Sequence, residues 1–171
     1  MAEQLKQLYD AEEIATRVSA LAAEIAQSYD GREFTVLGVL DDSFVFLADL
    51  LRQFETTVRT AFMRFDHKHF GGMQDLSFTT QTDLRGRDVL LVEGVIGTGV
   101  TQEYLMKQLA ERGAATVRLC VLLNKPDRRR VSVEPDFYAF ETHEDFVVGY
   151  GLGMQERYRQ LPYLAATPST A

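Results

Sequence analysis

The sequence predicts an α/β fold in which a twisted, largely parallel sheet carries helices on both faces, with a small flap at one side. Three observations predict it. Two strand–helix–strand patterns follow one another, over 34–65 and 89–123. Short apolar runs such as Val89-Leu90-Leu91-Val92 have the length and composition of buried strands. Each strand passes into its helix through a short turn, the connection that lays helices against a parallel sheet.

The elements follow in order. Leu5, Leu8, Ile14, Val18, Leu21 and Ile25 share one face at helical spacing, Asp10 with Glu13 forms a capping box, and Asp30-Gly31 stops the helix. A strand over 34–40, a helix over 43–54 and a strand over 57–65 make the first unit. Ser77 to Thr82 alternates near glycine and reads as half of an antiparallel flap. Val89 to Val92 is the next strand, and Gln102 to Arg112 is helical by the spacing of Tyr104, Leu105, Gln108 and Leu109. A strand over 116–123 closes the second unit. Residues 164–171 read as a frayed tail.

Composition narrows the function classes. At 171 residues, 46% hydrophobic and 25% charged, the chain reads as one domain over 1–171 with room for a full core. A net charge of −7 argues against a general nucleic-acid binder, and the dense basic run Arg128-Arg129-Arg130 reads as a solvated loop. Cys120, the one cysteine, lies inside the apolar run 119–123 and reads as core, so no disulfide framework or cysteine metal site is expected. With no apolar signal segment and no stretch approaching a membrane span, a cytoplasmic protein is expected.

The most informative segment is Val89 to Thr101. A buried strand runs into the small-residue turn Thr98-Gly99-Val100-Thr101 and then into a helix, which presents free backbone N–H groups and the positive end of a helix dipole. That arrangement suits a phosphate monoester. Three further stretches accompany it: Val36 to Leu40 with Ser43 to Leu50, Leu122-Leu123-Asn124-Lys125-Pro126, and Asp145 to Leu152 leading into Arg157 to Tyr163. Taken together in this order, the four stretches resemble the type I phosphoribosyltransferases, and within them the hypoxanthine-guanine phosphoribosyltransferases.

The resemblance implies transfer of a phosphoribosyl group from phosphoribosyl pyrophosphate to a purine, with Mg²⁺ on the diphosphate and ribose hydroxyls. In the family's turn an adjacent acidic pair touches the ribose diol, and a third acid sits by purine N7. Here Glu93 is retained, but the other two positions are Gly94 and Gly97. Where the family usually has Lys-Gly at the pyrophosphate loop, this chain has Asp41-Asp42. Two like charges about 4 Å apart repel by roughly 4 kcal/mol at an effective dielectric of 20, so pyrophosphate is expected to be disfavoured. The family's metal-contacting aspartate falls on Gly153, and its mobile-loop Ser-Tyr signature is replaced around His67-Lys68-His69-Phe70. His67 and His69 alternate without a third ligand nearby and read as surface loop.

The purine half matches better. By resemblance, Lys125 donates to the purine 6-oxo group, Phe146 stacks on the base, the Val147 backbone reads the exocyclic edge, and Arg159 stands on the pyrophosphate side. The resulting expectation is a homologue that binds GMP or IMP through Thr98 to Thr101, Lys125, Phe146 and Val147, with transfer lost or strongly reduced. It would act as a sensor or regulatory partner, as a homo-oligomer (dimer or tetramer) or with an active paralogue. Mg²⁺ is expected only if the chain is active, with no side-chain ligand set of its own. Two alternatives stand beside it: an active salvage transferase making IMP or GMP, and an interaction protein with a relict pocket.

Overall fold

Lys6–Tyr9 forms a short strand, β1, and Asp10 then caps helix α1 (Ala11–Tyr29). The capping box is present. The Asp10 carboxylate accepts from the Glu12 and Glu13 backbone N–H groups at 2.9 Å, and the Glu13 side chain accepts from the Asp10 N–H at 2.8 Å. This cap fixes the helix start at Ala11. Leu5 and Leu8, expected on the helix, therefore precede it, and Leu8 lies in β1. Asp30, in the left-handed conformation with φ 49°, ends α1 as expected. Asp10→Ala is expected to cost about 1 kcal/mol, seen as a lower urea midpoint at unchanged slope.

The computed structural model describes residues 5–40, 42–65, 76–78 and 82–168. After α1 come β2 (Thr35–Leu40), α2 (Phe44–Gln53), β3 (Arg59–Phe65), β4 (Leu76–Phe78), β5 (Asp88–Ile96), α3 (Val100–Glu111), β6 (Thr116–Asn124), a 3₁₀ turn (Pro126–Arg128), β7 (Phe137–Glu141), β8 (Val147–Val148) and β9 (Leu164–Ala166). The main sheet has the order β4-β3-β2-β5-β6-β7; β4 is antiparallel to β3, and the other neighbours are parallel. Ser77 and Phe78 of the expected flap lie in β4, while 79–81 fall outside the described residues.

The alternation of strand side chains sorts the core into two layers. Val36, Leu90, Val92, Cys120 and Leu122 face α1 and α2, against Ile14, Leu21, Phe46 and Leu50. Leu37, Leu91, Leu119 and Val121 face α3, against Leu105 and Leu109. Helices on both faces explain why these strands carry apolar residues at consecutive positions. Cys120 is fully buried in the first layer, as its apolar neighbours predicted.

Two boundaries differ from expectation in ways that matter for the site. Strand β5 runs on to Ile96, so Glu93 and Gly94 belong to the sheet rather than to the turn, paired with β6. The helix after the turn starts at Val100 rather than Gln102. The expected frayed tail is also corrected: Leu164–Ala166 is buried and forms the middle strand of a second sheet, β1-β9-β8, with Ala165 opposite both Gln7 and Val148. Backbone paired along both edges does not fray. Among the described residues no helix is long and apolar enough to cross a membrane.

Candidate functional site

The chain moves outward from β2 to β3 on one side and from β5 to β6 on the other, so a crevice opens between the carboxyl ends of β2 and β5. Three groups of residues meet there: the turn after β5, the loop between β2 and α2, and the hairpin that follows β8.

The turn after β5 is open at its mouth and braced from below. Gly99 adopts φ 81°, a left-handed conformation that a residue with Cβ takes only with strain, and a Cβ there would lie 2.9 Å from Val131. No side chain caps α3. The Val100 N–H reaches the Thr98 hydroxyl only at 3.4 Å, and the start of α3, around Thr98, Gly99, Val100 and Thr101, carries the positive end of the helix dipole. The brace is Arg129, whose side chain is only 9% exposed. Its Nη1 donates to the Gly97 carbonyl at 2.5 Å, its Nη2 to Asn124 Oδ1 at 2.7 Å, and Glu134 receives both Nε and Nη2.

The reading of Arg128 to Arg130 as a solvated run is thus corrected for Arg129. The 3₁₀ turn at Pro126–Arg128 carries the chain so that this guanidinium passes beneath the turn that follows β5. Arg129→Ala leaves the Gly97 and Asn124 oxygens short of a donor and is expected to cost about 2 kcal/mol. Thermal denaturation checks it.

Lys125, Phe146 and Val147 come together at one side of the crevice. Lys125, just after β6, is half-buried and donates through Nζ to the Asp145 carbonyl at 2.9 Å. Burial, with Arg128 nearby, holds its ammonium below the ordinary lysine range. Phe146 is 54% exposed, unusual for a large apolar residue. Val147 is buried in β8 opposite Ala166, which holds the backbone at this point in register. Arg128 pairs with Asp145, and His143 Nδ1 lies 2.5 Å from Asp127, so the loops bearing Lys125 and Phe146 are tied together.

The other half holds Glu93, Asp42 and Arg159. Glu93, retained in sequence, lies in the second half of β5. It is buried, Gln102 Nε2 donates to its Oε2 at 2.8 Å, and its Oε1 is solvent-excluded without a partner. Desolvation raises its pKa to about 7, with Asp42 adding to the rise and the Gln102 hydrogen bond opposing it. Asp42 Oδ1 instead receives Arg159 Nη1 at 2.5 Å, and the same nitrogen donates to the Gly151 carbonyl at 2.7 Å. An added Cβ at Gly94 would lie 2.9 Å from Leu152 Cδ2 and 3.0 Å from the Asp42 carbonyl, whereas Gly97 has nothing within 4 Å.

This donor set does not fit a Mg²⁺ ion held by side chains. Glu93 is sealed off, Asp42 is engaged by a cation, Gly153 offers no oxygen, and no group of three or more potential ligands occurs among the described residues. Asp41, His67 and His69 lie outside the described residues. Sequence reasoning missed Arg129 and Gln102. Gln102 shares the inner face of α3 with Leu105 and Leu109, and a polar residue on such a face was the available signal.

Comparison with known proteins agrees with this architecture. A family model described as phosphoribosyl transferase domain matches residues 4–157. The hypoxanthine-guanine phosphoribosyltransferase of Lactococcus lactis is 39% identical over 163 residues, spanning 93% of this chain and 88% of the relative. A crystal structure of such an enzyme from Bacillus anthracis superposes with TM-score 0.86 at 30% identity, covering 96% of this chain and 98% of the other. A hypoxanthine phosphoribosyltransferase variant of Trypanosoma cruzi, complexed with the product IMP, superposes with TM-score 0.87 at 31% identity over 96% and 84% of the two chains.

Proposed function

Since the chain belongs to the hypoxanthine-guanine phosphoribosyltransferase family of type I phosphoribosyltransferases, we propose that it binds a purine nucleoside 5′-monophosphate and has lost, or nearly lost, phosphoribosyl transfer. The observation that carries this reading is the asymmetry of the site. Thr98 and Val100 of the turn after β5 and Phe146 are exposed, and Lys125 is held only by a main-chain carbonyl, while Glu93 is buried against Gln102 and Arg159 is paired with the Asp42 carboxylate.

In this reading the phosphate lies on the backbone N–H groups of Thr98 to Thr101, Lys125 donates to the 6-oxo group, Phe146 stacks on the base, and the Val147 backbone reads its edge. The IMP complex of the Trypanosoma cruzi relative supports a purine monophosphate as the ligand class. The protein works in the cytoplasm as a nucleotide sensor, or as a regulatory subunit in a homo-oligomer or beside an active paralogue. A second reading, an active enzyme making IMP or GMP, draws on the name shared by its relatives; there the substrate's own phosphates would carry Mg²⁺.

A thermal-shift series separates them, because a ligand that binds only the folded state raises the melting temperature with its occupancy. GMP or IMP alone is expected to stabilise the protein, and phosphoribosyl pyrophosphate with Mg²⁺ to leave it unchanged. A response to both favours the transferase, and a response to neither removes nucleotide binding altogether.

A further inference from the structure

Asp42 and Arg159 occupy space that two missing side chains provide. The Arg159 side chain lies across Gly153, where an added Cβ would sit 2.8 Å from its Nε, 2.9 Å from Cγ and 3.0 Å from Cζ. On the opposite side, the Asp42 main-chain oxygen and Cβ close on Gly94, at 3.0 and 3.1 Å from a Cβ placed there. The ion pair is bound in place by a second hydrogen bond from Arg159 Nη1 to the Gly151 carbonyl. Its side chains are 55% exposed for Asp42 and 30% for Arg159, so solvent and ligands reach it. An ion pair this exposed adds little to stability. Its main consequence is that the guanidinium is already occupied.

We propose that Asp42 sets the class of ligand this site accepts: by holding Arg159 it takes the place of a pyrophosphate group, so the site takes purine monophosphates and refuses pyrophosphate. The proposal rests on the nucleotide reading above, together with the family resemblance, which puts Arg159 on the pyrophosphate side. The chemistry is competition for one planar fork of donors, which a carboxylate and a phosphate satisfy alike. Asp42 is tethered by the chain, and tethering gives it an effective concentration that a dissolved anion does not reach. An incoming diphosphate also meets the aspartate's charge before it meets the arginine.

Calorimetric titration of inorganic pyrophosphate into the full chain decides this, with GMP titrated in parallel. Asp42→Asn keeps the shape and removes the charge; Asp42→Gly removes both. Each variant is expected to bind pyrophosphate about tenfold or more tightly than the unaltered chain, the gain one freed charged donor provides. Arg159→Gln added to either variant is expected to remove that gain. Equal pyrophosphate affinity in the unaltered chain and both variants overturns the proposal, as does a gain that survives Arg159→Gln. Should Asp42→Gly fail to fold, Asp42→Asn decides alone. GMP binding by none of these proteins would overturn the nucleotide reading, while a pyrophosphate gain that depends on Arg159 would still establish the competition.

Discussion

Replacing Glu93 by glutamine is expected to stabilise the protein at pH 8 by about 3 kcal/mol and to remove a matching part of its pH dependence between 4.5 and 7. Burial lifts the carboxyl from its ordinary 4.5 to about 7, and the Asp42 charge works in the same direction. The folded state therefore binds this proton more tightly than the unfolded chain. The stability it contributes is fully present below pH 4.5 and is lost as pH rises to about 7. Glutamine imitates the protonated form at every pH: its carbonyl accepts from Gln102 as Glu93 Oε2 does. Urea denaturation of both proteins from pH 4 to pH 8 tests this. Stability curves that stay parallel would mean that Glu93 ionises as an ordinary surface acid, and that water reaches it.

The same experiment bears on function. A carboxyl that stays enclosed is out of reach of a ribose diol or a metal ion, so the acid retained from the family's turn would be retained for packing alone. This could not be read from the sequence. Glu93 occupies the expected place in the motif, but the direction of its side chain depends on Gln102, on the far side of the turn, and on the extension of β5 to Ile96.

What local pattern encodes was legible. Asp10 and Glu13 announced the cap, the apolar runs announced a sheet covered on both faces, and Thr98 to Thr101 announced the open helix start. What depends on distant segments was not. Ala165 looks like tail until Gln7 and Val148 pair with it. Arg129 is chemically identical to its two neighbours, and only the turn at Pro126–Arg128 selects it to pass under Gly97. The glycines at 94, 97 and 153 were visible as missing acids, yet their surroundings differ in a way no sequence pattern states: two are filled by neighbours and one is open.

That difference leads to the largest expected effect on activity. Restoring the missing chemistry one residue at a time is expected to fail at two of the three glycines. Gly94→Asp drives a side chain against the Asp42 carbonyl and Leu152, and Gly153→Asp drives one into Arg159. Each is expected to cost about 1–3 kcal/mol as overpacking, without raising transfer. Gly97→Asp meets open space and is expected to be tolerated. Asp42→Gly changes the situation for both crowded sites, because it releases Arg159 from above Gly153 and removes the Asp42 Cβ from beside Gly94. Gly153→Asp should therefore be less costly in the Asp42→Gly background than alone, a coupling that a double-mutant cycle measures. The five-fold combination Gly94→Asp, Gly97→Asp, Asp41→Lys, Asp42→Gly and Gly153→Asp is then expected to raise IMP or GMP formation by on the order of 10² to 10⁴, the range of a recovered general acid or base. The assay is chromatographic, with protein in excess over phosphoribosyl pyrophosphate and Mg²⁺ so that a single turnover is seen. A five-fold variant that folds and stays silent would show that transfer was lost through other groups. Activity already present in the unaltered chain would show that Asp42 and the glycines never abolished it.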